Sequence, residues 1–334
     1  MSDKGDLEPI RTAHYQENLQ ADQILGVLNE TLAPLERELV ASFEAPRYPT
    51  IFIIGAPRSG TTLLSQLLIT CFELGYINNV AARFWMAPYI GAWLASQLQD
   101  FERAPAVGFT SDLGATPEYE GPHEFGYFWR RWFQYGDTHQ LSKEQAEAID
   151  TRFFRQELAA IENVFDRPLL FKNVPALSLQ VDFLATALPE AIFIHCRRDH
   201  VYAAQSLLLS RLKYYGNKES WLSVKPKEYG RLKERPYAKQ IAGQIFYTLW
   251  RIDEVLASLD PSRYLNIDYE VLCESPVEQL ERVAHLVAGT GYELLRRDFT
   301  LPALFSTNKK VVDDDEFQML EEACRQFSDE SVEG

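Results

Sequence analysis

Between positions 55 and 62 the chain reads Gly-Ala-Pro-Arg-Ser-Gly-Thr-Thr, directly after the apolar run TIFIIG and directly before LLSQLL. Two glycines five positions apart at a strand-to-helix turn let the backbone curl, so that several N–H groups and a helix N-terminus converge on one anion. The spacing matches the first part of the G-x-x-x-x-G-K-[ST] phosphate loop, yet Thr61 stands where that motif requires lysine. A nucleoside triphosphatase uses the lysine to neutralise charge on the β- and γ-phosphates, whereas here the cation is Arg58, inside the loop. Such a loop suits a donor with a different group at the transferred position. A second set lies where the run AIFIHC passes into Arg197-Arg198-Asp199, with Ser206 eight positions after Arg198 in a helical stretch. An arginine fork and a hydroxyl suit a phosphate dianion, and the alternative is an ordinary arginine beside an aspartate in a strand-to-helix loop. Lys172 ends a third apolar run, PLLFKN.

These residues need elements that aim them at one place. TIFIIG, PLLFKN, AIFIHC and RYLNID read as short buried strands, and helical patterns follow at about Thr61 to Phe72, Ala176 to Leu188, Val201 to Tyr215, Pro236 to Leu259 and Pro276 to Val287. Strands alternating with helices predict an α/β fold: a three-layer, P-loop-like arrangement with a central, mainly parallel sheet flanked by helices, its strand C-termini along one ligand-binding edge. Residues 1–45 read as an N-terminal helical arm, with apolar positions at helical spacing over 12–43 broken once by Pro34, and 46–334 as a single domain. Within it, Asn79 to Gln99 is helical and aromatic, Phe101 to Asp137 is rich in Pro, Gly and aromatic residues, and Leu141 to Phe165 reads as one long amphipathic helix. Residues 79–140 are the expected acceptor-pocket or lid insertion. The acidic DDDE run at 313–316 reads as a solvated face or loop.

With 46% hydrophobic residues among 334, the chain can bury a large core. A formal charge of −15 argues against a general nucleic-acid or anionic-membrane binder, so any anion must be held by a local basic site. Cys71, Cys196, Cys273 and Cys324 lie far apart without CxxC spacing, which suggests reduced thiols rather than zinc ligands or a disulfide framework. The N-terminus lacks the pattern of a signal peptide, and no run of about 18 apolar residues predicts a membrane span, so a cytoplasmic protein is expected.

The stretch PRSGTTLL, together with the Arg198–Ser206 spacing, resembles the sulfotransferase family, in particular its bacterial-type, tyrosylprotein and carbohydrate branches. The resemblance covers roughly residues 48–312 and implies transfer of a sulfuryl group from 3′-phosphoadenosine 5′-phosphosulfate (PAPS) to a hydroxyl or amine, without a metal. It implies that the backbone from Ser59 through Gly60 to Thr62 and the hydroxyls of Thr61 and Thr62 hold the 5′-phosphate, that Arg58 faces the sulfuryl group, and that Arg198 and Ser206 hold the 3′-phosphate. Relatives carry lysine in a K-x-P or K-D-P context at the Lys172 position; this chain has Lys-Asn-Val-Pro, a one-residue departure. Lysine there would neutralise charge on the leaving oxygen, and the alternative is an ordinary surface lysine. Tyr269, in YLNIDYEVL, is implied near the adenine or phosphates, or is a core tyrosine. Ser306 to Val311 looks like a late loop that closes over the nucleotide, where Lys309 either reaches phosphate or is a surface lysine.

The acceptor must lose a proton, and a His or Glu within hydrogen-bond reach would serve as base. Tyrosylprotein relatives have a glutamate downstream of the loop arginine; here that stretch offers Asn78 and Asn79. The segment GPHEFGYFWRRWF supplies Glu124 as first and His123 as second nominee, with a salt bridge from Glu124 to Arg130 or Arg131 as the rival reading. The acceptor is expected to be a small molecule, carbohydrate or lipid, since the aromatics between Phe84 and Tyr135 either enclose such a molecule or form plain core. The competing functions are a P-loop kinase or nucleoside triphosphatase, and a catalytically inactive nucleotide-binding relative.

Overall fold

The structure is a computed structural model that describes residues 10–16, 18–98, 105, 107–172 and 175–330. Residues 1–9 and 17 of the expected arm, and Asn173 and Val174 of the Lys-Asn-Val-Pro departure, lie outside the described residues.

Among the described residues five strands pair, all in parallel: β1 (Ile51–Ile54), β2 (Gly75–Tyr76), β3 (Leu169–Phe171), β4 (Ile192–Arg197) and β5 (Tyr264–Asp268), in the order β2-β3-β1-β4-β5. β1 holds the centre, with Ile51 opposite both Leu170 and Ile192, and all four of its residues are fully buried. Burial on both faces explains why these strands read as continuous apolar runs rather than alternating ones. The sheet has one more strand than the four expected. β2 is two residues long, too short to leave a pattern in the sequence.

Side chains of alternate parity meet helices on opposite faces. Phe52 stacks between Phe171 and Phe193, at ring-centroid distances of 5.4 and 5.7 Å. That face is covered by α4 (Gly126–Phe133), α6 (Thr151–Phe165), α7 (Val181–Ala187) and α10 (Tyr237–Leu256). Ile51 and Ile53 instead pack on α2 (Thr61–Cys71) and α12 (Pro276–Ala288). Each fully buried Phe or Ile contributes about 1.5–3 kcal/mol relative to exposure, so β1 is anchored from both sides. A third apolar cluster joins α8 (His200–Tyr215) to α10 and α13 (Asp314–Glu330).

Three expected helices differ in detail. The 141–165 stretch is two helices, α5 (Lys143–Glu147) and α6, because Ser142 forms a capping box with Gln145 and Asp150 caps Phe153, restarting the helix. The expected Asn79 to Gln99 helix is a 3₁₀ turn at Ala81–Arg83 followed by α3 (Pro88–Leu98), whose first residue is the proline that suits a helix start; Gln99 lies outside the described residues. Leu177–Gln180 is 3₁₀, and only Val181–Ala187 is α-helical. Conversely α1 (Leu19–Val40) continues through Pro34. It is tied to the body by side chains: the Glu36 carboxylate accepts the Tyr89 and Ile90 N–H groups at 2.7 and 3.1 Å, and Asn29 bonds Met86 N–H and Arg83 C=O. The remaining short helices are α9 (Tyr229–Leu232) and α11 (Tyr269–Glu274).

Candidate active site

The residues singled out by chemistry follow the C-terminal ends of consecutive neighbours in the sheet: Gly55 after β1, Lys172 after β3, Arg198 after β4 and Tyr269 after β5. Parallel strands with crossover helices expose those ends along one edge, and that is where ligands bind.

The loop after β1 is shaped by contacts a side chain would break. A Cβ on Gly55 would lie 2.6 Å from Cys196 O, and one on Gly60, at φ +93°, would lie 2.4 Å from Cδ2 of Tyr269. Gly60 is the N-cap of α2 and offers no side-chain acceptor to the first N–H groups of that helix, which have no intrahelical partner; Gly60, Thr61, Thr62 and Leu63 line a cavity. Gly55 N–H is taken by Ser178 Oγ at 3.0 Å, and Cys196 Sγ donates to Ser59 O at 3.0 Å, which pins the loop to the sheet. Arg58 itself is left-handed, at φ +67°, a conformation costing about 1–3 kcal/mol for a non-glycine residue. It is held by both of its ends: Nε donates to Ser206 Oγ at 3.0 Å, and its carbonyl accepts from Arg198 Nη1 at 3.0 Å.

Arg58, Arg198 and Ser206 therefore form one cluster, with Arg58 as the link. Ser206 contacts Arg58 and does not itself line the cavity; Ser210, one turn on, does. Arg198 lies over the Tyr269 ring at 4.6 Å, and its Nε and Nη2 donate to Asn308 Oδ1 and Thr307 Oγ1. Tyr269 OH in turn lies 3.0 Å from Thr307 Oγ1. The late loop thus meets the site through Thr307 and Asn308. Lys309 presents its backbone carbonyl to Gln205 and its side chain is exposed, away from the cavity lining. Thr307 and Asn308 lie within the Ser306 to Val311 loop expected over the nucleotide, in which the sequence singles out only the lysines.

A cavity of about 880 Å3 is lined by Arg58, Gly60, Thr61, Thr62, Arg198 and Tyr269 among others. A second of about 520 Å3 holds Lys172, His123 and Asn79. Leu113, Gly114, Glu124, Pro175 and Ser223 line both, so the two share a wall.

Lys172 is 3% exposed and its ammonium donates to the carbonyls of Gly114 and Pro122, while Glu124 Oε1 lies 3.9 Å away. Burial draws the Lys172 ammonium below its ordinary pKa, opposed by Glu124 and reinforced by Arg58. Burial raises the Glu124 carboxyl above the ordinary carboxylate range, opposed by Lys172 and then Arg58. Glu124 makes no pair with Arg130 or Arg131; Arg131 binds Glu157 on α6 instead. His123 Nδ1 accepts the Phe125 N–H at 2.9 Å, which places the ring proton on Nε2, and burial with nearby Lys172 and Arg83 pushes its pKa down to about 4. Asn78 and Asn79 are spent on structure: Asn78 Oδ1 caps Val80 and Ala81, and Asn79 Nδ2 bridges the carbonyls of Thr116 and Glu118.

Cys71 is partly exposed and the other cysteines are buried, all of them free. Among the described residues no group of three or more His, Cys, Asp or Glu side chains is placed to hold a metal ion, and no helix is long and apolar enough to cross a membrane.

Comparison with known proteins agrees with this geometry. The omega-hydroxy-beta-dihydromenaquinone-9 sulfotransferases Stf3 of Mycobacterium bovis and Mycobacterium tuberculosis are each 24% identical over 273 residues, which is 72% of this chain and 63% of theirs. The chain therefore spans less than two thirds of the length of these curated relatives. The crystal structure of sulfotransferase STF9 from Mycobacterium avium is similar in fold, with a TM-score of 0.54 at 17% identity over 85% of this chain and 75% of that one. Sulfotransferase STF1 from Mycobacterium tuberculosis gives a TM-score of 0.51 at 15% identity, over 81% and 74%. A family model described as the sulfotransferase family matches residues 49–288, across both the phosphate loop and the Arg198 cluster, and the chain belongs to that family.

Proposed function

We propose that the protein transfers a sulfuryl group from PAPS to a hydroxyl or amine of a small organic acceptor. One observation carries this reading: the cation-and-amide cluster around the phosphate loop and the pair of buried Lys172 with half-buried Glu124 line two cavities that share a wall. The loop fits a phosphate, because Gly60 leaves the first helix N–H groups uncapped and Gly60, Thr61 and Thr62 line the larger cavity.

PAPS supplies the sulfuryl group. In this reading the N–H groups from Ser59 to Thr62 and the Thr61 and Thr62 hydroxyls hold the 5′-phosphate. Arg198, with Ser206 behind it, holds the 3′-phosphate: its present bonds go to the neutral oxygens of Arg58, Thr307 and Asn308, which a phosphate dianion would outcompete. Tyr269 flanks the nucleotide, and Lys309 contributes long-range charge only. Glu124 takes the acceptor proton as the new oxygen–sulfur bond forms. Lys172 and Arg58 neutralise the phosphate oxygen as its bond to sulfur breaks, the charge stabilisation on which in-line transfer depends. His123, neutral and with Nδ1 engaged, orients the turn that carries Glu124 rather than acting as base. Residues 1–45 serve as an arm on a 46–334 domain, with 79–140 forming the acceptor wall. Free cysteines support a cytoplasmic location.

Thermal shift with 3′-phosphoadenosine 5′-phosphate against ATP and Mg²⁺ tests the reading. Stabilisation by the bisphosphate alone is expected, by an amount set by its concentration over Kd. Stabilisation by ATP and Mg²⁺ with none by the bisphosphate sinks it in favour of a nucleoside triphosphate enzyme. Bisphosphate binding without sulfuryl transfer to any acceptor of a hydroxyl and amine panel points to an inactive relative.

A further inference from the structure

The smaller cavity is chemically lopsided. Its charged lining consists of Lys172, Glu124, Arg11 and Arg130, and Lys172 and Glu124 already face each other at the wall shared with the larger cavity. Arg130 is exposed and makes no ion pair among the described residues, although the chain as a whole carries a formal charge of −15.

Arg130 has company. Gly126, Tyr127 and Arg130 lie on one face of α4 at helical spacing and all line the cavity. Just past the end of α4, the Tyr135 hydroxyl is buried with no hydrogen-bond partner, and the Tyr135 ring packs on His139 at 5.0 Å. His139 Nδ1 accepts the Lys225 N–H at 3.2 Å, which leaves its Nε2 proton free to donate. Guanidinium, phenol and imidazole N–H are all donors, and no carboxylate lines that end. A buried hydroxyl without a partner costs about 1–3 kcal/mol, which a bound oxygen would recover once the Tyr135 ring turns its hydroxyl toward the cavity it lines. Glu124 precedes the first turn of α4 and Tyr135 follows its last, so the eight-residue helix separates the two ends by about 12 Å at the rise of an α-helix.

We propose that the acceptor is a hydroxylated organic anion, its hydroxyl at Glu124 and Lys172 and its charged oxygens, of a carboxylate in the first instance, on Arg130, Tyr135 and His139. The inference rests on the sulfuryl-transfer reading for the reacting end alone. The aromatic faces of Tyr127 and Tyr135 suit the spacer between the two groups.

The test is calorimetric titration of the protein, with and without saturating 3′-phosphoadenosine 5′-phosphate, using hydroxyphenyl-alkanoic acids of graded chain length, each beside its methyl ester. In at least one pair the acid should bind about tenfold or more tightly than the ester, the scale of a charge-assisted hydrogen bond. Arg130→Gln should bring acid and ester to within about twofold, and Tyr135→Phe, which keeps the ring, should weaken the acid and not the ester. Esters binding as well as acids throughout, no acid binding at all, or a preference unaltered by Arg130→Gln would each overturn the proposal. Absence of bisphosphate binding overturns the sulfuryl-transfer reading instead, and the acid-to-ester ratio without nucleotide still reports on Arg130.

Discussion

The two cavities are built by different means. In the larger, the phosphate-loop part comes from residues that directly follow strands and sits in one short stretch, GAPRSGTT, joined by Arg198 and Tyr269, while its outer walls come from 109–124, 207–223 and 302–307. The smaller draws its side chains from the N-terminal segment, the 113–139 region, the end of β3 and the loop at Ser223. A site for an invariant phosphate can be written into one local turn. A site for a particular acceptor is written into the way distant loops meet.

That contrast can be broken most forcefully at the shared wall. Lys172→Met keeps the buried volume and removes the charge; turnover should fall by about 10²–10³-fold while bisphosphate affinity changes far less, measured by initial rates beside calorimetry. If affinity and turnover fall together, Lys172 belongs to nucleotide binding and the division of labour is wrong. Glu124→Gln should lower turnover by about 10²-fold and erase the acid limb of the rate profile. In the wild type that limb should lie above the ordinary carboxylate range, because burial raises the Glu124 pKa and only the deprotonated form accepts a proton. An unchanged limb in Glu124→Gln assigns the base elsewhere. The gentlest probe is Gly60→Ala, which drives a methyl into the Tyr269 ring at a positive φ: bisphosphate binding should weaken about tenfold and the Tm should drop, with acceptor preference unaltered.

The same contrast explains what could be read in advance. Continuous apolar strands flanked by helices made the sheet legible, and the glycine spacing made the loop legible, because both depend on neighbours in sequence. β2 escaped because two residues carry no period, and the break between α5 and α6 was present as Ser142–Gln145 and Asp150 but was outweighed by the apolar spacing across it. The Ser306 to Val311 loop was legible as a whole, but only the folded chain shows that Thr307 and Asn308 are its members that meet Arg198. Lys309 was the more obvious residue to name, and charge alone was a poor guide to which side of that loop faces inward. The sequence leaves Glu124 open to a pairing with Arg130 or Arg131, because it does not show that Arg131 reaches Glu157 on α6 and that Lys172 comes to 3.9 Å from Glu124.

The wall common to both cavities also sets rules for anyone redirecting this protein to a new acceptor. Substitutions at Leu113, Gly114, Pro175 or Ser223 would reshape both cavities, so under the proposed function a library varied there selects on nucleotide and acceptor at once. Tyr127, Arg130, Tyr135, His139 and Val224 border the smaller cavity and not the larger, and under the proposed function diversity placed there can be screened without losing the donor.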